Sequence, residues 1–500
     1  MGVTMSGSAR ALDARWFGLW SILALVAVAI VTRAAAFGNP LLHIDDQYYL
    51  LVGKAINHGQ LPYVDIWDRK PIGLFLIYAA IARLGGSGVE EYQLVAGLFA
   101  VATAWVVTRL AGRIANRQGA LLAGIVYLAT LVPFGGQGGQ SPVFYNLLIA
   151  GAALSFVRAA ERSTRLVPAA LAAMVVCGLA LTVKQVSLVE GIYFGLCFLV
   201  LAHGRQWPPL RLVGLAAAMI ALALLPALLA ALYYFAHGHL GEYIFANFIS
   251  IFFKADQGAR SREFGVLFLL VFMVPLALAA IIGKIMRYPR GASADVRSIF
   301  WSAWMVAALL GIMLIPNFYD HYDLPLIAPL CVSAATILGR RTGPAFAAAL
   351  VLIAWSEGSM LNVAANRDGK RAFEAMALKL DQARNGGCLY VAGGPPLLYD
   401  RAGDCRLTRF QFPDHLGAIN EAAALGTDQQ LELARILRLR PAVLVRQTYP
   451  TSDATPHSLS QVAAALVRDY RRIMVRRVPI QRSFRVFEIW QRRDLPPPHD

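Results

Sequence analysis

The sequence predicts a polytopic α-helical membrane protein with about eleven transmembrane helices and a small soluble α/β domain at its C-terminus. Of its 500 residues, 57% are hydrophobic and only 15% are charged, whereas about a quarter of the residues in a soluble globular chain are charged. The charge is also unevenly distributed. Residues 1–360 contain 25 Lys or Arg and 16 Asp or Glu, and the much shorter stretch 361–500 contains 21 and 14. We therefore predict a membrane domain over 1–360 and a soluble domain over 361–500.

The composition also excludes several classes of protein. The chain is too apolar for a disordered or collagen-like protein, and five cysteines in 500 residues do not make a disulfide scaffold. A net charge of +16 would suggest nucleic acid as a partner of a soluble protein. In a membrane protein the position of the basic residues is more informative than their sum, and no nucleic acid is needed to explain them.

The transmembrane segments are predicted from apolar runs, since a spanning helix needs about 20 mostly apolar residues. Such runs lie at 16–36, 91–110, 119–134, 143–160, 167–183, 187–203, 212–235, 264–283, 298–315, 322–339 and 343–358. The further run 71–84 has about 14 residues, which is the length of an interfacial or re-entrant helix. We predict that it lies at the membrane surface.

The basic residues predict the orientation. With 71–84 excluded and the N-terminus in the cytoplasm, the cytoplasmic segments contain 16 basic and three acidic residues. The outer segments of the membrane domain then contain nine basic and 13 acidic residues, as the positive-inside rule requires. An odd number of spans places the C-terminal domain outside. A signal peptide is the alternative for the first segment, because Arg10 and Arg15 precede it and Ala34–Ala36 resembles a cleavage site.

The first outer loop, 37–90, holds the largest group of polar residues. Apolar residues at helical spacing predict a short interfacial helix over about 46–57, with Asp45 or Asp46 as its N-cap. One of these acids is explained by capping alone. Two adjacent acids at the membrane surface also suit proton abstraction from a sugar hydroxyl, which requires a carboxylate.

Three further outer clusters carry charge. Lys184 lies at the outer end of one helix and Glu190 about two turns into the next, so that either an ion pair or a substrate role is open for them. Loop 236–263 contains an aromatic, interfacial middle and the cation Arg260, and a later loop contains His321 and Tyr322. Cations from several loops on one face could hold a phosphate. There is no P-loop, dinucleotide-binding, HExxH or zinc-ligand pattern in the sequence, and the Gly-rich loop 135–142 contains no acid.

The soluble domain is predicted to be small and α/β. We expect strands at Cys388–Val391, Pro441–Val445, Arg472–Val475 and Arg485–Trp490, and helices near 371–384, 415–438 and 458–471. Its arginine-rich surface suits an anionic polysaccharide or lipid, but we favour the simpler interpretation that these side chains are only solvated. Cys388 and Cys405 lie in this outer domain, where a disulfide is permitted, but their spacing alone does not establish one.

Several of these segments resemble a known family. Asp45-Asp46-Gln47-Tyr48-Tyr49, followed by Gly59-Gln60-Leu61-Pro62-Tyr63-Val64-Asp65-Ile66-Trp67-Asp68-Arg69-Lys70-Pro71, is similar to the first outer loop of bacterial family-39-like glycosyltransferases. These are polytopic enzymes of the GT-C class, related to protein O-mannosyltransferases, lipid A aminoarabinose transferases and lipopolysaccharide-core galacturonosyltransferases. Leu181–Gln185 and His321–Leu326 resemble later elements of the family, and Cys388–Val391 resembles the opening of its outer domain.

The resemblance implies a glycosyltransferase that uses a polyprenyl-phosphate-linked sugar at the periplasmic face of the inner membrane. The first acid of the family's acidic pair, its catalytic base, falls on Asp45, and Lys70 falls on an element expected near the donor phosphate. Many relatives have another carboxylate in the second outer loop, which is absent here, so a divalent metal is in doubt. The acceptor is expected to be an envelope glycan, lipid or protein. The substrate-binding residues that we predict are Asp46, Tyr48, Tyr49, Asp68, Lys70, Lys184, Arg260, His321 and Tyr322.

Other functions remain open from the sequence. A transporter or lipid flippase with an outer domain would need functional charges at mid-depth in the membrane. A ligase or polymerase of lipid-linked glycans would need room for a long donor. A non-catalytic scaffold for envelope assembly would tolerate the replacement of both Asp45 and Asp46.

Overall fold

The computed structural model is mainly helical. It describes residues 7–162, 165–255, 259–287, 296–314, 319–358, 362–403, 405–449, 454–480 and 483–498. The helices of the membrane domain are α1 (Gly7–Arg33), α2 (Ile44–Asn57), α3 (Ile72–Ala82), α4 (Val89–Ala111), α5 (Arg117–Thr130), α6 (Ser141–Glu161), α7 (Leu166–Val183), α8 (Ser187–Gly204), α9 (Pro209–Ala236), α10 (Leu240–Ile244), α11 (Ala259–Arg287), α12 (Val296–Met313), α13 (Leu324–Leu338) and α14 (Gly343–Trp355).

Each of the eleven segments predicted to span the membrane coincides with a helix, namely α1, α4 to α9 and α11 to α14. Within the described residues, eight helices are long and apolar enough to cross a membrane. The other three, α5, α12 and α14, fall short of that in length or apolar character. The polytopic helical fold is therefore confirmed, and the number of eleven spans stays a prediction.

The two ends of the helical bundle make different contacts. At one end, Arg113 pairs with Glu161, and the Asn116 side chain donates to the Gly339 carbonyl at 2.9 Å. At the other end, the first outer loop contacts the C-terminal domain, where the Trp67 amide donates to the Arg409 carbonyl at 2.9 Å. The loop and the domain thus lie on the same face, which fits an odd number of crossings. The assignment of that face to the periplasm stays a prediction.

Two short helices, α2 and α3, form most of the first outer loop. α2 begins at Ile44 with His43 as its N-cap, so the prediction that Asp45 or Asp46 caps it is wrong. Both acids lie in the first turn instead, where negative charge stabilises the helix dipole. The two helices pack closely, since a Cβ atom on Gly53 would lie 2.6 Å from the backbone of Tyr78.

The segment after α9 is predicted to lie at the membrane surface. It continues from α10 through a π-helical turn, Phe245–Ile249, and a 3₁₀ turn, Ser250–Phe253. The side chains of Phe248, Phe252 and Phe253 are exposed. Exposed aromatic side chains are typical of a membrane interface and agree with that prediction.

The C-terminal domain is a four-stranded sheet with helices packed against it. Its elements are α15 (Val363–Arg384), β1 (Leu389–Val391), α16 (Pro413–Gly417), α17 (Gln429–Arg438), β2 (Val443–Gln447), α18 (Pro456–Asp469), β3 (Tyr470–Ile480) and β4 (Ser483–Arg492). The strand order is β1-β2-β4-β3, in which only the β1–β2 pair is parallel. Cys388 and Cys405 form a disulfide, with their Cα atoms 5.3 Å apart.

The single helix expected near 415–438 is wrong, because the segment forms three short helices. α16 ends where Ala418 turns to an extended backbone, and a 3₁₀ helix, Ile419–Ala424, follows. Gly426 then adopts a positive φ of 67°, which a helix does not allow. Asp428 restarts the helix as the N-cap of α17, because its carboxylate accepts the Gln430 and Leu431 amides.

Candidate active site

Asp45 and Asp46 are neighbours in α2 but lie in different environments. The Asp46 side chain is fully buried, and its Oδ2 accepts the Gly139 amide at 2.8 Å. Burial raises the pKa of Asp46 to about 7. The Asp45 side chain is 24% exposed, and its Oδ2 lies 3.9 Å from Nε2 of His321. Burial opposes ionisation of Asp45, but the charges of Lys70 and other nearby cations hold its pKa below the ordinary value. Asp45 is therefore the more fully ionised carboxylate of the pair at neutral pH.

The acid-free loop 135–142 encloses Asp46. A Cβ atom on Gly138 would lie 2.1 Å from the Asp46 Oδ2 atom, so a larger residue would displace the Asp46 carboxylate. The Tyr78 hydroxyl donates to the Gly139 carbonyl at 2.8 Å and fixes the loop from the other side. The Gly-rich run thus has a local role, which is to let backbone approach the buried carboxylate.

Lys184 is a buried cation near Asp45. It is 5% exposed, and its Nζ has no hydrogen-bond partner among the described residues. The Nζ atom lies 3.9 Å from the centroid of the Tyr322 ring. Burial and the charge of Lys70 lower the pKa of Lys184 well below its usual value.

The ion pair between Lys184 and Glu190, considered from the sequence, is not formed, although the structure describes both residues. Glu190 instead accepts the Trp304 indole N–H at 2.8 Å. The void that both residues line measures about 10 Å³, which is room for about one water molecule.

Lys70 is held beside Asp45 by a turn that Asp68 stabilises. The Asp68 Oδ1 atom accepts the Arg69 amide at 2.6 Å and the Lys70 amide at 3.3 Å. The Lys70 Nζ lies 5.6 Å from the Tyr49 ring centroid. Burial alone would lower the pKa of Lys70. The negative charge of Asp45, with smaller effects of other nearby groups, outweighs burial and raises the pKa of Lys70 above its ordinary value. Lys70 thus supplies a stable positive charge.

An ion-pair cluster joins this region to the outer domain. Arg69 binds the Glu421 carboxylate through two nitrogens, one of them 2.9 Å from Oε1. Lys254 lies 2.8 Å from the same oxygen. Desolvation opposes ionisation of Glu421, but Arg69 and Lys254 hold its pKa well below the usual range. The Glu421 clamp, as we call Arg69, Lys254 and Glu421, therefore ties together the first outer loop, the loop after α9 and the outer domain.

The other predicted site residues have different surroundings. Tyr48 is buried, donates to the Trp67 carbonyl at 2.7 Å and packs against Phe412 of the outer domain. Tyr49 is buried against Tyr78, 5.6 Å between ring centroids. The side chain of Arg260 lies outside the described residues. The residues that converge around the exposed edge of Asp45 are Lys70, Lys184, His321 and Tyr322.

The arrangement does not fit a bound divalent metal. Among the described residues, no group of three or more His, Cys, Asp or Glu side chains is placed to hold one. The Asp46 carboxylate is enclosed by glycine backbone and accepts an amide, and the facing loop 135–142 offers no acid. Hard divalent cations such as Mg²⁺ and Ca²⁺ require several oxygen ligands. We therefore derive the chemistry without a metal.

A comparison with protein families finds one match. The family model described as dolichyl-phosphate-mannose-protein mannosyltransferase matches residues 69–230. This stretch includes Lys70 and Lys184 and begins after Asp45. No curated protein sequence matches the chain.

Solved structures with a similar fold cover nearly all of the chain. ArnT from Cupriavidus metallidurans, bound to undecaprenyl phosphate, aligns with a TM-score of 0.60 and 15% identity, covering 94% of this chain and 97% of that one. Its apo state gives the same values. Arabinofuranosyltransferase AftD from Mycobacteria aligns with a TM-score of 0.51 and 14% identity, over 95% of this chain and 41% of that one. The predicted resemblance is thereby confirmed at the level of the fold: the chain shares the polytopic helical fold of ArnT and AftD, and residues 69–230 match the mannosyltransferase family model.

Proposed function

We propose that this chain transfers a sugar from a polyprenyl-phosphate-linked donor to an acceptor hydroxyl, with Asp45 as the general base. The observation that carries the proposal is an ionised, partly exposed carboxylate, Asp45, surrounded by Lys70, Lys184 and His321. A carboxylate accepts the proton of an attacking hydroxyl, and cations stabilise a departing phosphate. One protein of this fold was solved with undecaprenyl phosphate bound, which supports a lipid-phosphate donor.

The reaction is a single displacement at the anomeric carbon of the sugar. The acceptor oxygen forms a bond to that carbon while the bond from the carbon to the phosphate oxygen breaks. The phosphate oxygen leaves with the electron pair as polyprenyl phosphate. The proton of the acceptor hydroxyl passes to the Asp45 carboxylate, which must lie within about 3 Å of it or one water away. A carboxylate kept ionised by its neighbours is ready for this step.

The cations act on the leaving phosphate. Lys70 carries its charge before the donor binds, because its pKa is raised. Lys184 is different, since burial favours its neutral form, and a phosphate placed beside it would favour the protonated form. Lys184 is then most fully protonated when the substrate is bound. One well-placed donor of this kind is worth about 3 kcal/mol in the transition state.

Asp46 has a supporting role in this proposal. It is fully buried and bonded to Gly139, so it orients the first turn of α2 against loop 135–142. Asp45 is presented toward the cations by the same turn. We place this site on the periplasmic side of the inner membrane, with the N-terminus in the cytoplasm. The basic residues of the opposite face support that orientation.

The transporter alternative is less well supported. It requires functional charges near the middle of the membrane. The cluster around Asp45 and Lys70 instead lies where the first outer loop meets the C-terminal domain, and Lys184 follows the last residue of α7. Glu190, which lies within α8, is bonded to Trp304.

The proposal is tested by mass analysis of envelope lipids and glycans from cells that lack the gene. Cells complemented with the wild-type gene should contain one sugar-modified species that is absent without it. Asp45→Asn should fail to restore that species at normal protein level, whereas Asp381→Asn, a change on the exposed face of α15, should restore it. Restoration by Asp45→Asn would refute Asp45 as the base, and the absence of any gene-dependent glycan or lipid species would refute the activity.

A further inference from the structure

A cavity of about 270 Å³ lies between the N-terminus of α2 and the outer domain. It is lined by residues that follow β1 and β2, by helices α16 and α18, and by Ile44 of the membrane domain. A water molecule needs only about 10–15 Å³ on this measure, so the cavity has room for a much larger ligand. None of the residues proposed above for catalysis or for the donor phosphate lines it.

The position of the cavity is one that favours ligands. Gly393 and Gly394 follow β1, and Gln447 and Thr448 lie at the end of β2, so the cavity is at the carboxyl ends of a parallel strand pair. In open α/β sheets, ligands bind in the crevice outside those ends. A Cβ atom on Gly393 would lie 3.1 Å from the Gln447 amide nitrogen, so the backbone after β1 closely approaches the end of β2.

The lining combines an apolar floor with a basic edge. Leu416, Leu433 and Val462 form the buried floor. At the edge, Arg446 is held by Glu488, with Nε 2.6 Å from a carboxylate oxygen, while its side chain remains 31% exposed. No carboxylate among the described residues pairs with Arg485, which lines the same edge. The edge thus carries a net positive charge, and a guanidinium group binds a carboxylate or a phosphate through paired hydrogen bonds.

The cavity adjoins the candidate active site through α2. Ile44 lines the cavity and directly precedes Asp45. Asp414 also lines the cavity and interacts electrostatically with Tyr319, which also interacts with Asp45. A donor lipid must approach from the membrane helices, whereas this cavity is lined almost entirely by the outer domain. Its occupant is therefore better suited to be the acceptor.

We infer that this cavity binds an acidic saccharide of the acceptor, with its carboxylate or phosphate at Arg446 and Arg485 and its reacting hydroxyl directed toward Asp45. The inference rests on the proposed function, because that function is what makes the ligand an acceptor. Apolar pockets with a few well-placed polar groups are the usual form of small-molecule sites.

The test uses the purified full chain in detergent micelles and saturation-transfer NMR. The probes are glucuronic acid, glucose 6-phosphate and, as a neutral control, glucose. We expect saturation transfer to at least one acidic sugar and at least fivefold less to glucose. Arg485→Glu, which reverses the charge, and Leu459→Trp, which fills the cavity from a partly exposed position, should each reduce the signal at least fivefold. Arg438→Glu, on the exposed end of α17, should leave it unchanged.

The outcomes separate the two anions and the two proposals. A signal from glucuronic acid alone assigns a carboxylate to the ligand, and one from glucose 6-phosphate alone assigns a phosphate. Equal signals in wild type and Arg485→Glu, a signal from glucose as strong as from the acids, or no binding of either acid would overturn the inference. Asp45→Asn should retain probe binding while it loses transfer. If it retains transfer, the proposed function fails, whatever the probes do.

Discussion

Replacing Glu421 with glutamine would break the Glu421 clamp at its centre. The Glu421 side chain is 6% exposed, and those of Arg69 and Lys254 are each 12% exposed, so both cations would be left nearly buried without their carboxylate. Removal of one partner of a buried ion pair costs about 3–5 kcal/mol. Glutamine can still accept one hydrogen bond from Arg69, so we expect a loss near the lower end, about 3 kcal/mol.

The assay is thermal unfolding of the purified protein, combined with a double-mutant cycle. Asp381→Asn removes the partner of Arg401 in a half-exposed pair and should cost under about 1 kcal/mol. If the loss of stability comes from a buried charge without a partner, the double variant Arg69→Gln/Glu421→Gln should lose less unfolding free energy than the two single variants lose in sum. Such coupling is typically 0.5–3 kcal/mol.

The pH dependence gives a second readout. The pKa of Glu421 is depressed from its ordinary value of 4.5. Its contribution to stability is therefore complete above about pH 4.5 and is lost as the pH falls toward its folded pKa. Glu421→Gln should remove that part of the acid sensitivity. Strict additivity of the two substitutions, or an unchanged stability of Glu421→Gln at neutral pH, would refute the clamp.

Three further predictions concern other features. Gly138→Ala should abolish transfer and lower thermal stability, because its Cβ would lie 2.1 Å from the Asp46 carboxylate, whereas Gly151→Ala, with nothing within 4 Å, should do neither. Asp46 has a raised pKa of about 7, so its contribution to stability is complete below about pH 3.8 and is lost as the pH rises through 7. Asp46→Asn should therefore make the melting temperature less dependent on pH between about pH 3.8 and 7. An unchanged pH dependence would contradict the raised pKa of Asp46. Cys388→Ser should destabilise the outer domain by about 3 kcal/mol, since its bond to Cys405 closes a sequence separation of 17, and wild-type resistance of that domain to proteolysis would contradict this.

Much of the membrane domain could be predicted from the sequence because the bilayer imposes a simple rule on it. A run of about 20 apolar residues is a span, and the predicted runs coincide with helices. The short segment 71–84 contains α3, Ile72–Ala82, and its place at the membrane surface stays a prediction. In the soluble domain no such rule applies. The break of the expected helix 415–438 depends on the backbone of Ala418 and Gly426.

The candidate site was predicted only in part. Asp45 and Lys70 belong to a recognisable local pattern in one loop, and His321 and Lys184 are polar residues next to apolar helices. Glu421 was not found, because it lies more than 350 residues after Asp68 and no local pattern joins it to Arg69. The distinction between Asp45 and Asp46 was equally hidden, since it depends on the amide of Gly139. Long-range contacts of this kind require the three-dimensional structure.

The central claim is that Asp45 accepts the proton of the attacking hydroxyl. The most direct measurement is single-turnover transfer by purified Asp45→Asn, with donor binding measured on the same preparation. The account predicts donor binding within about threefold of wild type and a transfer rate reduced by 10²–10⁴-fold, which is the usual contribution of a general base. Transfer at the wild-type rate by a folded, donor-bound Asp45→Asn would contradict the account.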